Sequence, residues 1–141
     1  MPTCVFCAIV DGRAPASFVH QDDSVVAFLD IHPVTPGHLL VVPRAHHVAL
    51  ADIDPTTAAR MFAVARRLAT ALRGSGLRCE GINLFYADGA AAGQEVFHAH
   101  LHVLPRYVDD GFRLAIDYDP PPSREELNAI GEQIRAAAEA L

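Results

Sequence analysis

The sequence predicts one domain that is built from both strands and helices. Five short stretches have the length and the largely apolar composition of strands. Two longer stretches repeat their apolar residues at helical spacing, and each follows a favourable N-cap residue, Asp54 or Ser123. A chain of 141 residues is long enough for a single domain with a substantial core.

The composition is typical of a soluble globular protein, with 51% apolar and 20% charged residues. A net charge of −6 argues against a general nucleic-acid-binding protein. All 11 basic residues are arginine, and the lack of lysine excludes a Schiff-base lysine and a Walker-type phosphate-binding loop. Three cysteines are too few for a disulfide framework and favour a reducing, cytoplasmic setting. No secretory signal or membrane-spanning run is visible, so no membrane partner is expected.

The chain begins with a CxxC pair, Cys4 and Cys7, in a short apolar run that predicts one or two helical turns. Such a pair indicates metal binding or redox chemistry. The redox interpretation needs a preceding strand and a βαβ unit, and neither is present. Zinc needs four ligands, so histidines elsewhere would have to complete a site. The alternative is two buried small residues, because free cysteine packs well in a core.

Three strands are predicted before the long helix, over residues 17–20, 24–31 and 38–43. Asp30, near the end of the second strand, could receive ribose hydroxyl groups or could simply cap the following loop. Past the third strand, the basic segment from Arg44 to His47 is a candidate edge of a site.

The long helix is predicted to begin at Pro55 and to stop near Gly74. Its role is interpreted as packing scaffold, and its predicted apolar stripe contains Phe62, Ala65, Leu68, Ala69 and Leu72. Ser123 and Glu126 form a capping box that predicts a final helix over about 124–140. The apolar side of this final helix contains Leu127, Ile130, Ile134 and Ala137.

The chemistry is concentrated in three histidines at alternate positions, His98, His100 and His102. Alternate side chains of a strand share a face, so these imidazoles are expected in a row, with Ala99, Leu101 and Val103 buried on the opposite face. Three imidazoles in a row can bind a metal or handle protons and phosphate. The alternative is a surface strand that happens to carry histidine.

A fourth strand over 80–86 and a loop of small residues over 88–94 precede this segment. Backbone amides in such a loop can approach a ligand closely, although a flexible hairpin loop has the same composition.

The segment His98-Ala-His-Leu-His-Val-Leu-Pro resembles the HxHxHxx signature of the histidine triad family. The resemblance extends to the CxxC start, Phe28–Ile31, Gly37-His38, Val42–His46 and Gly93-Gln94, and it covers about residues 4–106 in order. It implies an α+β fold with an antiparallel sheet of about five strands, one long helix and a C-terminal helix. Residues 1–141 would form a single domain, whose tail over 107–141 resembles bacterial members. A homodimer is also implied, with residues 54–73 and 80–86 near its two-fold axis.

The resemblance further implies a hydrolase that acts at the α-phosphate of a purine nucleotide conjugate. It would be a nucleoside phosphoramidase, an AMP-lysine hydrolase or a diadenosine polyphosphate hydrolase. His100 would be the nucleophile and form a nucleotidyl-histidine that water cleaves. His102 would contact the phosphate, and His98 would support the nucleophile from behind. The residues implied to bind the nucleotide are Val5, Phe6, Ile9, Phe28, Asp30, Ile31, Gly93, Gln94 and His102.

Zinc is the one cofactor that the resemblance implies, in a structural site formed by Cys4, Cys7, His46 and His98. His46 could instead contact the phosphate. Two alternatives to a hydrolase stay open, namely a nucleotide-binding protein with weak catalysis and a partner-linked regulatory role, and a metal-binding structural module.

Two positions depart from the family pattern. Ala87 stands where better-known members have Asn or Gln, and Glu95 stands where several branches have Ser or Thr near the leaving group. If Glu95 faces the site, its charge opposes an incoming anion and could pair with a cationic amine. The alternative is a surface carboxylate that points away.

Overall fold

The computed structural model describes residues 4–141 and contains a five-stranded antiparallel sheet. Its strands are β1 (Phe18–Gln21), β2 (Val25–Leu29), β3 (Leu39–Pro43), β4 (Gly81–Tyr86) and β5 (Leu101–Arg106). They lie in the order β1-β2-β3-β5-β4, so β1 and β4 form the two edges. The predicted α+β class and the five-stranded antiparallel sheet are confirmed. The first three residues, which the search for a secretory signal included, lie outside the described residues.

Within the described residues, three α-helices accompany the sheet, namely α1 (Val5–Val10), α2 (Pro55–Gly74) and α3 (Arg124–Glu139). The Asp54 carboxylate accepts a hydrogen bond from the Thr57 N–H at 2.9 Å, so α2 begins where its N-cap predicts. Ser123 and Glu126 form the predicted capping box at the start of α3. These local rules therefore place both helix starts correctly.

The two faces of the sheet bury different partners. One face packs Val25, Val41 and Val103 against the buried residues of α2, which are Met61, Val64, Ala65, Leu68 and Leu72. The other face packs Val26, Phe28, Leu40 and Val42 against Phe6 and Ile9 of α1. The predicted stripe of α2 is wrong at Phe62, which is 58% exposed. One residue turns a helix by about 100°, so Met61 rather than Phe62 falls on the buried face.

The last part of the chain leaves the sheet and presents an exposed helix. Every residue of α3 is exposed, including Leu127, Ile130 and Ile134 on its predicted apolar side. Over residues 4–141, no helix combines the length and the apolar character that crossing a membrane requires.

Candidate functional site

A cavity of 660 Å³ opens on the α1 side of the sheet. Apolar side chains of α1 and β2 form one end, where Phe6 meets Phe28 edge-to-face at 5.4 Å between ring centroids. Asp30 and the imidazoles of His100 and His102 form the polar end. Of the residues predicted to bind the nucleotide, all but Gln94 line this cavity.

The three triad histidines do not all belong to a strand. The β5 ladder begins at Leu101, so His98 and His100 lie in the irregular segment before it, and the strand predicted through all three is too long. The alternation of faces nevertheless extends through this segment. Ala99 and Val103 are buried against the α2 side, whereas the His98 and His100 rings pack edge-to-face against Phe6 of α1.

A backbone hydrogen bond fixes the tautomer of His100. Its Nδ1 lies 2.6 Å from the carbonyl oxygen of His98. A carbonyl can only accept, so Nδ1 carries the proton and Nε2 keeps its lone pair. Burial lowers the pKa of His100 below its ordinary value of 6.5, so the imidazole is neutral near pH 7. His98 therefore supports His100 through its backbone carbonyl rather than through its ring.

A second chain of hydrogen bonds fixes the tautomer of His102. The Val34 N–H donates to Nδ1 of His38 at 3.1 Å, so the proton of the neutral His38 ring is on Nε2. That Nε2–H points at Nδ1 of His102, 2.8 Å away. Nδ1 of His102 accepts, which leaves its Nε2 as an N–H donor. Burial, with the neighbouring His100 and His38, lowers the pKa of His102 to about 4, so this ring is also neutral at pH 7.

Sequence reasoning gave His38 no role, although it is buried and lines the cavity beside His102. The alternation of side chains along a strand could have placed His38 on the face of the cavity. Leu40 of β3 pairs with His102 of β5, and a residue two positions before Leu40 shares its face. The signal becomes readable only when the pairing of β3 with β5 is known. Phe85 was also missed, and its ring meets His102 edge-to-face at 5.9 Å.

Asp30 caps the turn after β2 and also lines the cavity. Its Oδ1 accepts the His32 N–H at 2.8 Å, which caps the turn after β2. Its Oδ2 lies 3.6 Å from Nε2 of His38 at the polar end of the cavity.

The small-residue loop is held by its own hydrogen bonds. The N–H groups of Gly93 and Gln94 donate to the carbonyls of Ala90 and Gly89. The Gln94 side chain is buried, where its Oε1 accepts the Gly89 N–H and its Nε2 donates to the carbonyls of Val48 and Val96. Gln94 thus shapes the loop from behind, and a phosphate could use the backbone amides of Gly93 and Gln94 only by displacing these bonds.

The two positions that depart from the family pattern differ in their placement. Glu95 lines the cavity with an exposed side chain. Ala87 is only 4% exposed and lies outside the cavity lining.

A group of potential metal ligands lies at the start of α1. The ligand atoms of Cys4, Cys7, His46 and His98 all fall within 4.8 Å of one another. Nδ1 of His98 is 3.5 Å from each cysteine sulfur, and Nδ1 of His46 is 3.3 Å from the Cys7 sulfur. Tetrahedral zinc with bonds of about 2.0–2.3 Å holds its ligand atoms about 3.3–3.8 Å apart, so these spacings fit the ion. His46 is absent from the cavity lining.

The tautomer of His98 also fits zinc. Its Nε2 lies 2.8 Å from the carbonyl oxygen of Pro43, so the proton is on Nε2 and the lone pair of Nδ1 faces the cysteines. The same argument excludes metal from a second group of potential ligands, Asp30, His38 and His102. There, Nδ1 of His38 already accepts from Val34, so Nε2 must keep its proton and has no lone pair for an ion.

Comparison with known proteins identifies the family. A model described as the HIT domain matches residues 11–109. The chain belongs to the HIT family. An uncharacterized HIT-like protein of Borreliella burgdorferi is 45% identical over 113 residues, which cover 79% of this chain and 81% of that protein. The adenylylsulfatase HINT3 of Arabidopsis thaliana is 36% identical over 108 residues, covering 76% of this chain and 54% of that protein.

Solved structures of other HIT proteins share the fold. A HIT family protein from Bacillus anthracis is 36% identical, with a TM-score of 0.86, and the match covers 96% of this chain and 97% of that one. A Zn-bound histidine triad family protein from Mycobacterium smegmatis is 46% identical, with a TM-score of 0.74 and the same coverage of both chains. The cluster of two cysteines and two histidines in this HIT protein is thus suited to zinc, and a relative is known with zinc bound.

Proposed function

We propose that this HIT protein is a nucleotidyl hydrolase that acts at the α-phosphate of a nucleotide conjugate through a nucleotidyl-histidine intermediate. The observation that carries the proposal is the state of His100. Its Nδ1–H is held by the His98 carbonyl, and its neutral ring lines the cavity, so Nε2 has a lone pair for attack on phosphorus.

The cavity supports binding of a nucleotide in one orientation. The apolar end, with Val5, Phe6, Ile9 and Phe28, suits a purine base, and the Asp30 carboxylate suits the ribose hydroxyl groups. The α-phosphate would then lie near His100 and His102 at the polar end. At this end, Phe85 of β4 lies beside the His102 ring.

In the first step, the His100 Nε2 lone pair forms a bond to phosphorus while the bond from phosphorus to the leaving group breaks, and the leaving group takes up a proton from solvent water. His102 donates a hydrogen bond from Nε2 to the phosphate and stabilises the charge that develops there. It acts as a hydrogen-bond donor and not as an acid, because loss of its only ring proton would leave an imidazolate. In the second step, water attacks phosphorus and gives up a proton to the solvent, while the bond from phosphorus to Nε2 breaks and His100 returns to its neutral form.

One relative carries the name of an adenylylsulfatase, which supports hydrolytic chemistry at an adenylyl group in this HIT protein as well. The test is turnover of an adenosine phosphoramidate and of a diadenosine polyphosphate by the wild type and by His100→Asn. The variant should lose turnover of both substrates and still bind AMP. His47→Asn is the matched control, because that imidazole lies outside both the cavity and the cysteine cluster. Turnover by His100→Asn within a few-fold of the wild type would refute the assignment.

Zinc is the second part of the proposal. Cys4, Cys7, His46 and His98 would hold one ion, which joins the start of α1 to the segment before β5. Zinc would supply no step of the reaction. It would fix α1, whose Val5 and Phe6 form a wall of the cavity, and it would hold His98, whose carbonyl orients His100.

The third part is a homodimer. Phe62 of α2 is exposed and lines an apolar depression of 210 Å³, and Leu84 of β4 is also exposed. The Tyr86 hydroxyl in this depression is buried without a hydrogen-bond partner among the described residues. Strand β4 is also an edge of the sheet, where a second copy could pair. These features support a two-fold interface formed by α2 and β4.

A further inference from the structure

The CxxC pair at the start of α1 has the spacing that a disulfide needs. Cys4 is the N-cap of the helix and Cys7 is its third residue, and the Cys4 sulfur accepts a hydrogen bond from the Cys7 N–H at 3.4 Å. The two sulfur atoms lie within 4.8 Å of each other. Residues three apart in a helix have Cα atoms about 5 Å apart, inside the range of about 4.4–6.8 Å that a disulfide spans. Rotation of the two side chains is therefore enough to bring the sulfurs together.

A small oxidant can reach this pair from solvent. Both cysteines are partly exposed, and the neighbouring His46 is exposed. Cys79, the remaining cysteine of the chain, lies outside the cluster, and its thiol donates to the carbonyl of Gly81 at 3.4 Å. An oxidised sulfur at Cys4 or Cys7 therefore has the other member of the pair as its adjacent thiol.

We propose that Cys4 and Cys7 form a redox switch, in which hydrogen peroxide converts the two zinc-binding thiolates into a disulfide and thereby weakens nucleotide binding. Such a switch passes no disulfide to another protein, so it does not need the βαβ unit of a thioredoxin-like oxidoreductase. The inference rests on the proposed zinc site and is independent of the proposed hydrolase activity.

The oxidation consumes one peroxide for each pair. One thiolate sulfur attacks an oxygen of hydrogen peroxide, the O–O bond breaks and hydroxide leaves, which gives a sulfenic acid. The second thiolate then attacks this sulfur, so the S–S bond forms and a second hydroxide leaves. The two sulfurs together lose two electrons, which reduce the peroxide. Both hydroxides take up protons from the solvent and become water.

The disulfide removes a support from one wall of the cavity. Its sulfurs are no longer thiolates, so His46 and His98 alone remain as ligands, which are too few to hold zinc. Helix α1 then loses its link to the segment before β5 and depends on the packing of Phe6 and Ile9. A looser wall has to be ordered when a nucleotide binds. The affinity for AMP should therefore fall about three- to ten-fold.

The test treats the purified zinc-containing protein with hydrogen peroxide at neutral pH. It measures the zinc released to a coloured chelator, the Kd for AMP, and the mass of the tryptic peptide over residues 1–13 under non-reducing conditions. This peptide contains Cys4 and Cys7 but not Cys79, because the chain has no lysine and Arg13 is its first arginine. The peptide should become lighter by two hydrogen atoms, while zinc is released and the Kd rises. A dithiol reductant with added zinc should reverse all three changes.

Two variants provide controls. Cys79→Ser should respond to peroxide as the wild type does, because Cys79 lies outside the cluster. Cys7→Ser lacks the pair, so peroxide should leave its Kd for AMP at the value that this variant has before treatment. An equal rise of the Kd in Cys7→Ser would show that peroxide acts on another residue, and it would refute the switch.

The other outcomes separate this inference from the proposals on which it builds. A peptide that keeps its mass or gains only oxygen atoms would refute the disulfide, and a disulfide that leaves the Kd for AMP unchanged would refute the switch. In both cases the proposed zinc site stands. Protein that holds no zinc before oxidation would refute the zinc site and the exchange together. None of these readouts depends on turnover, so a failure of the proposed hydrolase would appear only in the assay of His100→Asn.

Discussion

Two hydrogen bonds determine which ring nitrogen carries the proton in His100 and in His102. The His98 carbonyl makes Nε2 of His100 a lone-pair donor, and the His38 Nε2–H makes Nε2 of His102 an N–H donor. Two chemically identical side chains, two residues apart, thus acquire opposite roles from what their Nδ1 atoms contact.

His38→Ala should lower kcat far more than it weakens nucleotide binding. Removing the Nε2–H donor lets His102 adopt the other tautomer, in which Nε2 no longer donates to the phosphate. The expected loss in kcat is about 10- to 100-fold, as is common when the partner that orients a functional histidine is removed. The affinity for AMP should stay within a few-fold of the wild type. Equal effects on kcat and on AMP affinity would show that His38 only supports the shape of the cavity.

The pH dependence of turnover should reflect neutral histidines whose pKa values are depressed. Burial lowers the pKa of His100 from 6.5 and takes that of His102 to about 4. Both rings act in their neutral form, and a lowered pKa means that this form persists as the pH falls. We therefore expect kcat/KM to be constant from about pH 8 to about pH 6 and to fall as the pH approaches 4. A loss centred near the ordinary value of 6.5 would contradict the neutral, buried state of these rings.

At the scale of elements, helix α1 is too short to be stable by itself and depends on its contacts. Phe6 and Ile9 pack on the sheet, and the cysteines at its start meet His46 and His98. A bound ion would make this end of the helix a fixed wall of the cavity.

Cys7→Ser should therefore abolish zinc binding and loosen the cavity. Purified wild-type protein should contain about one zinc per chain by elemental analysis, and the variant should contain none. The melting temperature should fall by more than about 5 °C, and KM should rise, because α1 carries Val5 and Phe6. Cys79→Ser is the matched control, since Cys79 lies outside the cluster, and it should keep its zinc. Wild-type protein without zinc, or equal zinc content in all three proteins, would refute the site.

The sequence predicts elements well where short-range rules suffice. Asp54-Pro55 and the Ser123–Glu126 box place two helix starts, because capping is decided within one turn. The sequence does not decide which apolar residues of α2 face the core. Both Met61 and Phe62 are apolar, and only tertiary packing places Met61 on the buried face. The start of β5 at Leu101 depends on pairing with β3 and β4, which are distant in sequence.

The candidate site likewise contains features that a local sequence pattern predicts and features that depend on distant contacts. The alternation of the triad correctly predicts that the histidines lie on one face and Ala99 on the other, although His98 and His100 precede the β5 ladder. The role proposed for His38 depends on its contact with His102, 64 residues away along the chain, so no local sequence pattern predicts it. The CxxC motif indicates a metal, but it does not indicate which histidines lie beside it; these come from the loop after β3 and the segment before β5.

For the whole molecule, the apolar face of α2 and β4 predicts a dimer in solution. Light scattering at micromolar concentration should give twice the mass of one chain. Phe62→Arg should shift the protein toward the monomer, because Phe62 is 58% exposed beside the apolar depression. Val19→Arg on β1, at the opposite edge of the sheet, should leave the mass unchanged. A monomer mass for the wild type would rule out this assembly.

The stereochemistry at phosphorus tests the central claim most directly, because it reports on the covalent intermediate itself. Each in-line displacement inverts phosphorus, so attack by His100 followed by attack by water gives two inversions. The measurement is hydrolysis, in oxygen-18 water, of an adenosine phosphoramidate made chiral at phosphorus by one sulfur atom. The nucleotidyl-histidine mechanism predicts net retention of configuration in the product, and net inversion would show that water attacks phosphorus directly, without a bond to His100.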